Sequence, residues 1–308
     1  MVARSTMNPS LDTKMSNSVW AMIVGLGAIW GSSFFFFAVA LKDFQPLTVA
    51  VGRTLIGVIF LVAVYLVLRR AMPRGAIWKD YLVLGLLNNA IPFTLTAMAQ
   101  QTIESGLASI LNATTPIFSV IVARLVGHES WTAPRLIAVF LGFLGVAVLM
   151  GPTAWSQIGS AWGQLLVLGA ALSYSLAGVF GRRFGQQPAL DVAFGQVVGA
   201  SIVLLPLALV FDRFWIVDPG WSALAALFGI GTLCTAAAYP LFFVILRRAG
   251  ATNAMLVTLV NPVTAVLLGV TLLGEQPTWT MFAGMALIAL SLLTIDGRLL
   301  RHVGAARG

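Results

Sequence analysis

Charge is scarce in this chain of 308 residues: ten Asp and Glu and eighteen Lys and Arg make up 9% of it, against 59% hydrophobic residues. Soluble domains carry about 25% charged residues. So few charges cannot coat a globule of this size, which excludes an ordinary water-soluble enzyme. A disordered chain needs the opposite composition. The single cysteine, Cys234, excludes an intramolecular disulfide and a cysteine-based metal site. The two histidines, His128 and His302, argue against a histidine-rich metal centre. No glycine is followed by lysine, so there is no P-loop and no ATP site of that kind. His-Glu-x-x-His, Gly-x-Ser-x-Gly and the dinucleotide glycine motif are also missing. The sequence therefore predicts a protein that is not an enzyme and uses no cofactor or metal.

What is present is a series of long apolar runs. A spanning helix needs about 20 mostly apolar residues. Ten runs qualify: 19–41, 47–68, 81–99, 105–126, 133–151, 162–180, 190–211, 222–245, 252–273 and 279–296. They are continuous and not alternating, so they predict helices and not barrel strands. Turn residues and charges separate them, among them Lys42-Asp43 with Pro46, Arg182-Arg183 with Pro188, Arg247-Arg248 with Gly250, and Gly274-Glu275 with Pro277. Residues 1–18 read as a disordered cytoplasmic segment and 297–308 as a basic cytoplasmic tail.

With the N-terminus placed inside, fifteen Lys and Arg fall in inner segments, two (Lys42 and Arg213) fall in outer loops, and Arg53 lies within span 2. Cytoplasmic loops retain basic residues during insertion. Both termini are thus expected in the cytoplasm. The net charge of +8 reads as a topology signal, assisted by anionic lipid, and not as a nucleic-acid surface.

The halves repeat. At a shift of 146, Gly85 meets Gly231, Pro116 meets Pro262, Glu129 meets Glu275 and Thr132 meets Thr278. At a shift of 142, Gly27-Ala28 meets Gly169-Ala170, Gln45-Pro46 meets Gln187-Pro188, and Gly57 meets Gly199. Residues 19–151 and 162–296 then form two five-span units. An odd span number turns the second unit upside down, and inverted repeats are characteristic of alternating-access carriers with a midplane site. The expected fold is an all-α membrane protein of ten transmembrane helices in two inverted repeats.

Polar groups at membrane depth are costly unless they face a cavity or a partner helix. Asn88, Asn112 and Asn261 are candidate substrate-binding residues; each amide also suits an interhelical hydrogen bond. For Asn89 the structural reading is preferred. Trp30, Tyr174 and Tyr239 lie deep in spans 1, 6 and 8, where an aromatic ring can line an amphipathic pocket. Pro116 and Pro262 are candidate kinks or hinges. Arg53 lies a few residues inside span 2 and is expected to snorkel outward. Glu129 and Glu275, with Thr132 and Thr278, read as caps of the helices that follow them. Gly27-x-x-x-Gly31 and Gly195-x-x-x-Gly199 read as helix-packing surfaces.

Trp30-Gly31-Ser32-Ser33-Phe34 in the first span, and a span 4 and span 9 each with proline followed about a dozen residues later by glutamate, resemble the drug/metabolite transporter superfamily, EamA type. Leu272-Leu273-Gly274-Glu275 carries the second glutamate; the first half has Gly127-His128-Glu129 instead. The resemblance implies a ten-helix inner-membrane carrier exporting amino acids or other small metabolites, with YddG-like amino-acid exporters as its nearest type. It also implies a central cavity lined by spans 1, 3, 4, 6, 8 and 9, which hold Trp30, Asn88, Asn112, Tyr174, Tyr239 and Asn261. The implied partners are a small-molecule substrate and membrane lipid, with no ATP and no nucleic acid. Alternatives are a multidrug or other metabolite carrier of the same fold and a non-transport membrane subunit.

Overall fold

A computed structural model describes residues 16–126, 132–150, 158–254 and 256–295. Eight helices within them are long and apolar enough to cross a membrane. They are α1 (Asn17–Ala40), α2 (Pro46–Val67), α3 (Ile77–Ala99), α4 (Ser105–Leu125), α5 (Ala133–Met150), α6 (Gly159–Phe184), α7 (Ala189–Phe211) and α8 (Trp221–Ala249). Two shorter apolar helices, α9 (Val257–Leu273) and α10 (Trp279–Thr294), complete the set. Helical geometry in α8 continues to Ala254, so the turn into α9 falls after that residue and not at Arg247-Arg248 as the sequence suggested. The proposed N-terminal segment up to Met15, the tail from 296, Glu129, Trp131 and Trp155 lie outside the described residues.

The apolar runs form helices because no other element satisfies every backbone polar group in lipid. Their outer surfaces carry Leu66, Val67, Phe140, Ile202 and Leu267, all strongly exposed, as expected of helices that bury their remaining faces against one another. Trp162, Trp215, Trp221 and Trp279 are exposed near helix ends, in the positions of an interfacial belt.

The packing is symmetric. The contact of α1 with α9 has its counterpart in α6 with α4, α3 with α6 in α8 with α1, and α3 with α7 in α8 with α2. The pairs α2–α7, α4–α9 and α5–α10 map onto themselves. Two five-helix units related by a pseudo-twofold exchange generate this pattern. Small residues permit the closest approaches: a Cβ on Gly31 would lie 2.7 Å from Thr264 Cβ, and one on Gly199 would lie 2.7 Å from Tyr81 O.

The symmetry extends to two of the three π-helical turns among the described residues; the third, Gly269–Leu273 at the end of α9, has no described counterpart in α4. π-Helical turns interrupt α3 at Leu86–Ala90 and α8 at Thr232–Ala237, which superimpose at the shift of 146. In both, the amide that follows bonds five residues back, Ile91 to Leu86 O and Ala238 to Leu233 O. Proline explains them. Pro92 and Pro240 lack the N–H that would bond four residues back, and an inserted π-turn absorbs the mismatch.

At one end of the molecule, carboxylates of one repeat cap helix starts of the other. Asp212 Oδ2 accepts from the Thr48 amide (2.6 Å) on α2, and Asp43 Oδ2 accepts from the Gly220 amide (2.8 Å) before α8. Glu275 accepts from the amides of Ser105 (2.7 Å) and Gly106 (3.0 Å) at the start of α4. Left-handed Gly274 (φ +72°) ends α9 and turns the next residue back, so the Glu275 amide bonds Gly269 O at 3.0 Å. The glutamate therefore caps α4 and not α10, as its place in the sequence implied. Thr278 accepts from the Met281 amide at 3.4 Å, as a cap of α10 should.

At the other end, Asp191 accepts from the Tyr65 hydroxyl (2.6 Å) and pairs with Arg70, while Arg183 pairs with Asp80 at 2.8 Å. Asp191 thus ties the start of α7 to α2 and to the segment after it.

Candidate functional site between the repeats

The two π-turns face a common region. Tyr239, one turn beyond the α8 bulge, donates its hydroxyl to Asn89 Oδ1 at 2.5 Å, and Asn89 lies inside the α3 bulge. Trp30 of α1 meets Tyr239 edge-on at 6.5 Å between ring centroids and Phe242 at 5.4 Å. Asn89 is fully buried, and its Nδ2 has no hydrogen-bond partner. Leaving such a donor unpaired costs about 1–3 kcal/mol.

Against the α8 bulge lies Arg53, which is 5% exposed. It does not snorkel outward. Its Nε donates to Thr235 Oγ1 at 3.0 Å and its Nη2 to Cys234 O at 3.3 Å, both within the α8 bulge. The guanidinium sits over the face of Phe93 at 3.7 Å, with Phe37 at 5.5 Å. Among the described residues, no carboxylate pairs with it. A buried, unpaired charge costs several kcal/mol. Cation–π contact returns only about 2 kcal/mol per desolvated ring.

Tyr174 of α6 packs against the cluster holding Phe37 and Phe93, yet part of its surface stays open. Trp30 likewise touches three hydrophobic clusters and remains partly open. Cys234 ties the bulge to α1 by donating its thiol to Ile29 O at 3.1 Å.

Among the sequence-derived candidates, Trp30, Tyr174 and Tyr239 therefore share this region. The amides do not all join them. Asn88 Nδ2 donates to Gln196 Oε1 of α7 at 2.8 Å. Asn261, oriented to satisfy its surroundings, donates to Val257 O (2.9 Å) and to Gly27 O of α1 (3.1 Å). Its amide thus fastens α9 to α1. Asn112 ends the first segment of α4, and its side-chain oxygen is buried without a partner.

Pro116 begins a new helical segment after a break at Ala113–Thr114, where its missing N–H is tolerated. The Asn112 carbonyl it would have bonded accepts instead from the Thr115 hydroxyl at 2.7 Å. Pro262 stays within continuous helix. A crevice of about 500 Å³ lies between α3, α4 and α6, walled by Leu87 of the α3 π-turn, Val122 and Phe180, with Arg182 and Arg183 also lining it.

Sequence reading missed Arg53 and Asn89 as members of the region. Depth in a span was visible for both, but not the face each presents. Pro92 and Pro240 were the available signal, since proline inside a span marks irregular helix, and π-turns concentrate at functional sites.

Ten apolar helices in two exchanged five-helix units, with paired irregularities around a shared polar cluster, define a membrane carrier fold. The sequence signature of the EamA-like transporter family matches residues 18–151 and again 161–295, once for each repeat. The chain belongs to this family, and it is a membrane transporter. It is 24% identical to the uncharacterized inner membrane transporter YedA of Escherichia coli K12 over 278 residues, 90% of either chain. It is 27% identical to the uncharacterized transporter YvbV of Bacillus subtilis, covering 93% of this chain and 94% of that one. It is 25% identical to YoaV of the same organism, covering 86% and 92%. A solved crystal structure shares the fold at a TM-score of 0.67 and 19% identity, covering 92% of this chain and 99% of the other.

Proposed function

We propose that the protein exports amino acids or similar small amphipathic metabolites by alternating access. Both termini face the cytoplasm, and the substrate binds between Trp30, Tyr174, Tyr239 and the two π-turns. The observation that carries this reading is the pairing of irregular helix across the repeats. Each bulge loosens a helix at the depth where a solute must be handled, and each sits where the units meet. Trp30 and Tyr239 supply apolar surface with polar edges, suited to a ring or an aliphatic chain.

Among the described residues, carboxylates lie only at helix ends, and none joins the cluster. That disfavours a lipophilic-cation exporter, which needs a counter-charge. The carboxylate caps at α2, α4 and α8 supply contacts between repeats that one state of the cycle makes and the other breaks. Proteoliposomes loaded with labelled amino acids test the reading. Saturable efflux that falls in Trp30→Ala supports it. Absence of efflux from wild-type protein, with and without a pH gradient, contradicts it.

A further inference from the structure

We propose that Arg53 is the anion-recognition residue of this carrier, so that its substrates bear a single carboxylate. This rests on the carrier reading above and narrows it.

The region is rich in donors and poor in acceptors. Arg53 has five N–H groups. Two of them are held, by Thr235 Oγ1 at 3.0 Å and Cys234 O at 3.3 Å. Both acceptors are neutral. Asn89 adds a buried Nδ2 without a partner, its Oδ1 already taken by Tyr239. Asn89 and Phe93 lie four residues apart on α3, as do Thr235 and Tyr239 on α8. Asn89 and Thr235 lie inside the two matching π-turns. Arg53 thus bonds the α8 π-turn, and Asn89 of the α3 π-turn bonds Tyr239 just beyond the α8 turn. An anion between Arg53 and Asn89 would meet unfilled donors from both.

The geometry also limits the charge. Phe93 and Phe37 cover the guanidinium at 3.7 and 5.5 Å and keep water from it. Charge-assisted bonds to a planar fork suit a carboxylate. A phosphate dianion needs further cations, and Arg53 is the only buried basic residue among those described. The anion would also bear on the cycle. The guanidinium bonds the π-turn of α8 itself, so filling its remaining donors acts on the irregular segment that joins the repeats.

The test uses the full chain in liposomes, with counterflow of labelled phenylalanine and 3-phenylpropionate against phenylalaninamide and 3-phenylpropanol, protein-free liposomes subtracted. Wild-type protein is expected to carry the carboxylates roughly 100-fold faster than their carboxylate-free partners. Arg53→Met should lower carboxylate flux by roughly 100-fold, to the level of the carboxylate-free compounds, and Arg53→Lys should retain part of it. In detergent, the carboxylates should raise the melting temperature of wild-type protein and Arg53→Lys, and not that of Arg53→Met. The proposal is overturned if wild-type protein carries the carboxylate-free compounds as fast as the carboxylates. It is also overturned if Arg53→Met lowers all fluxes equally or none; in these cases transport itself stands. Wild-type protein that moves no solute at all removes the carrier reading and this inference together.

Discussion

The contact of α3 with α7 and the contact of α8 with α2 occupy equivalent places in the two repeats, and they differ in one respect. Both are seated on a glycine. A Cβ on Gly85 would lie 2.6 Å from the Ala200 amide nitrogen, and one on Gly231 would lie 2.6 Å from Ile56 Cβ. Both adjoin a π-turn. At α3–α7 the polar groups close on themselves, Asn88 to Gln196. At α8–α2 a guanidinium is left without a counter-charge. Backbone symmetry is thus kept while side-chain symmetry is abandoned. The neutral pair reads as structure and the open charge as function.

The largest effect should come from the open side. Arg53→Met should abolish carboxylate transport, by roughly 100-fold or more, without lowering the melting temperature. Removing a buried charge that has no counter-charge relieves its desolvation penalty, which is several kcal/mol. A purely structural arginine would instead destabilise on replacement.

Tyr239→Phe leaves Asn89 with no partner and should cost about 1–3 kcal/mol of stability, with reduced flux. On the closed side, a double-mutant cycle of Asn88→Ala and Gln196→Ala should show coupling of about 0.6–2 kcal/mol, visible as a thermal shift. If both variants keep substrate affinity, the contrast between the two contacts sharpens; if Asn88→Ala raises KM as Arg53→Lys does, it breaks.

Glu275→Gln weakens the cap on α4 and should cost about 1 kcal/mol, again read by melting temperature. The smallest effect concerns Glu104, beside that cap. Burial of its carboxyl, then the Glu275 charge, raise its pKa above the ordinary value, while a bond from the Gln276 backbone lowers it. A raised carboxyl pKa means that the folded protein holds this proton more tightly than the unfolded chain. Its contribution therefore favours folding at low pH and is lost as pH rises through the raised value. Glu104→Gln should remove that slope and slightly raise the melting temperature at neutral pH.

Much of the architecture was legible in the sequence. Long apolar runs leave the backbone no choice but helix, and collinear pairs such as Pro116 with Pro262 betray duplication. Trp30 and Tyr239 stood out as candidates because rings with polar edges are conspicuous at that depth, and the structure brings the two rings together. Arg53 was misjudged because hydropathy reports depth and not azimuth. Only the packing of α2 on α8 turns its side chain inward, to Thr235. The Glu275 cap escaped for a related reason: its partner lies 170 residues away in sequence, at the start of α4. Asn261 shows the converse, a polar residue at depth whose donors are spent on α9 and α1.

A wettable space between two antiparallel units is the central claim, and accessibility tests it most directly. In a Cys234→Ala background, Tyr174→Cys should react with a membrane-impermeant maleimide in both right-side-out and inverted vesicles. Excess transported solute should suppress that reaction in each. Failure to label from either face, while a lipid-soluble maleimide labels freely, would contradict the account.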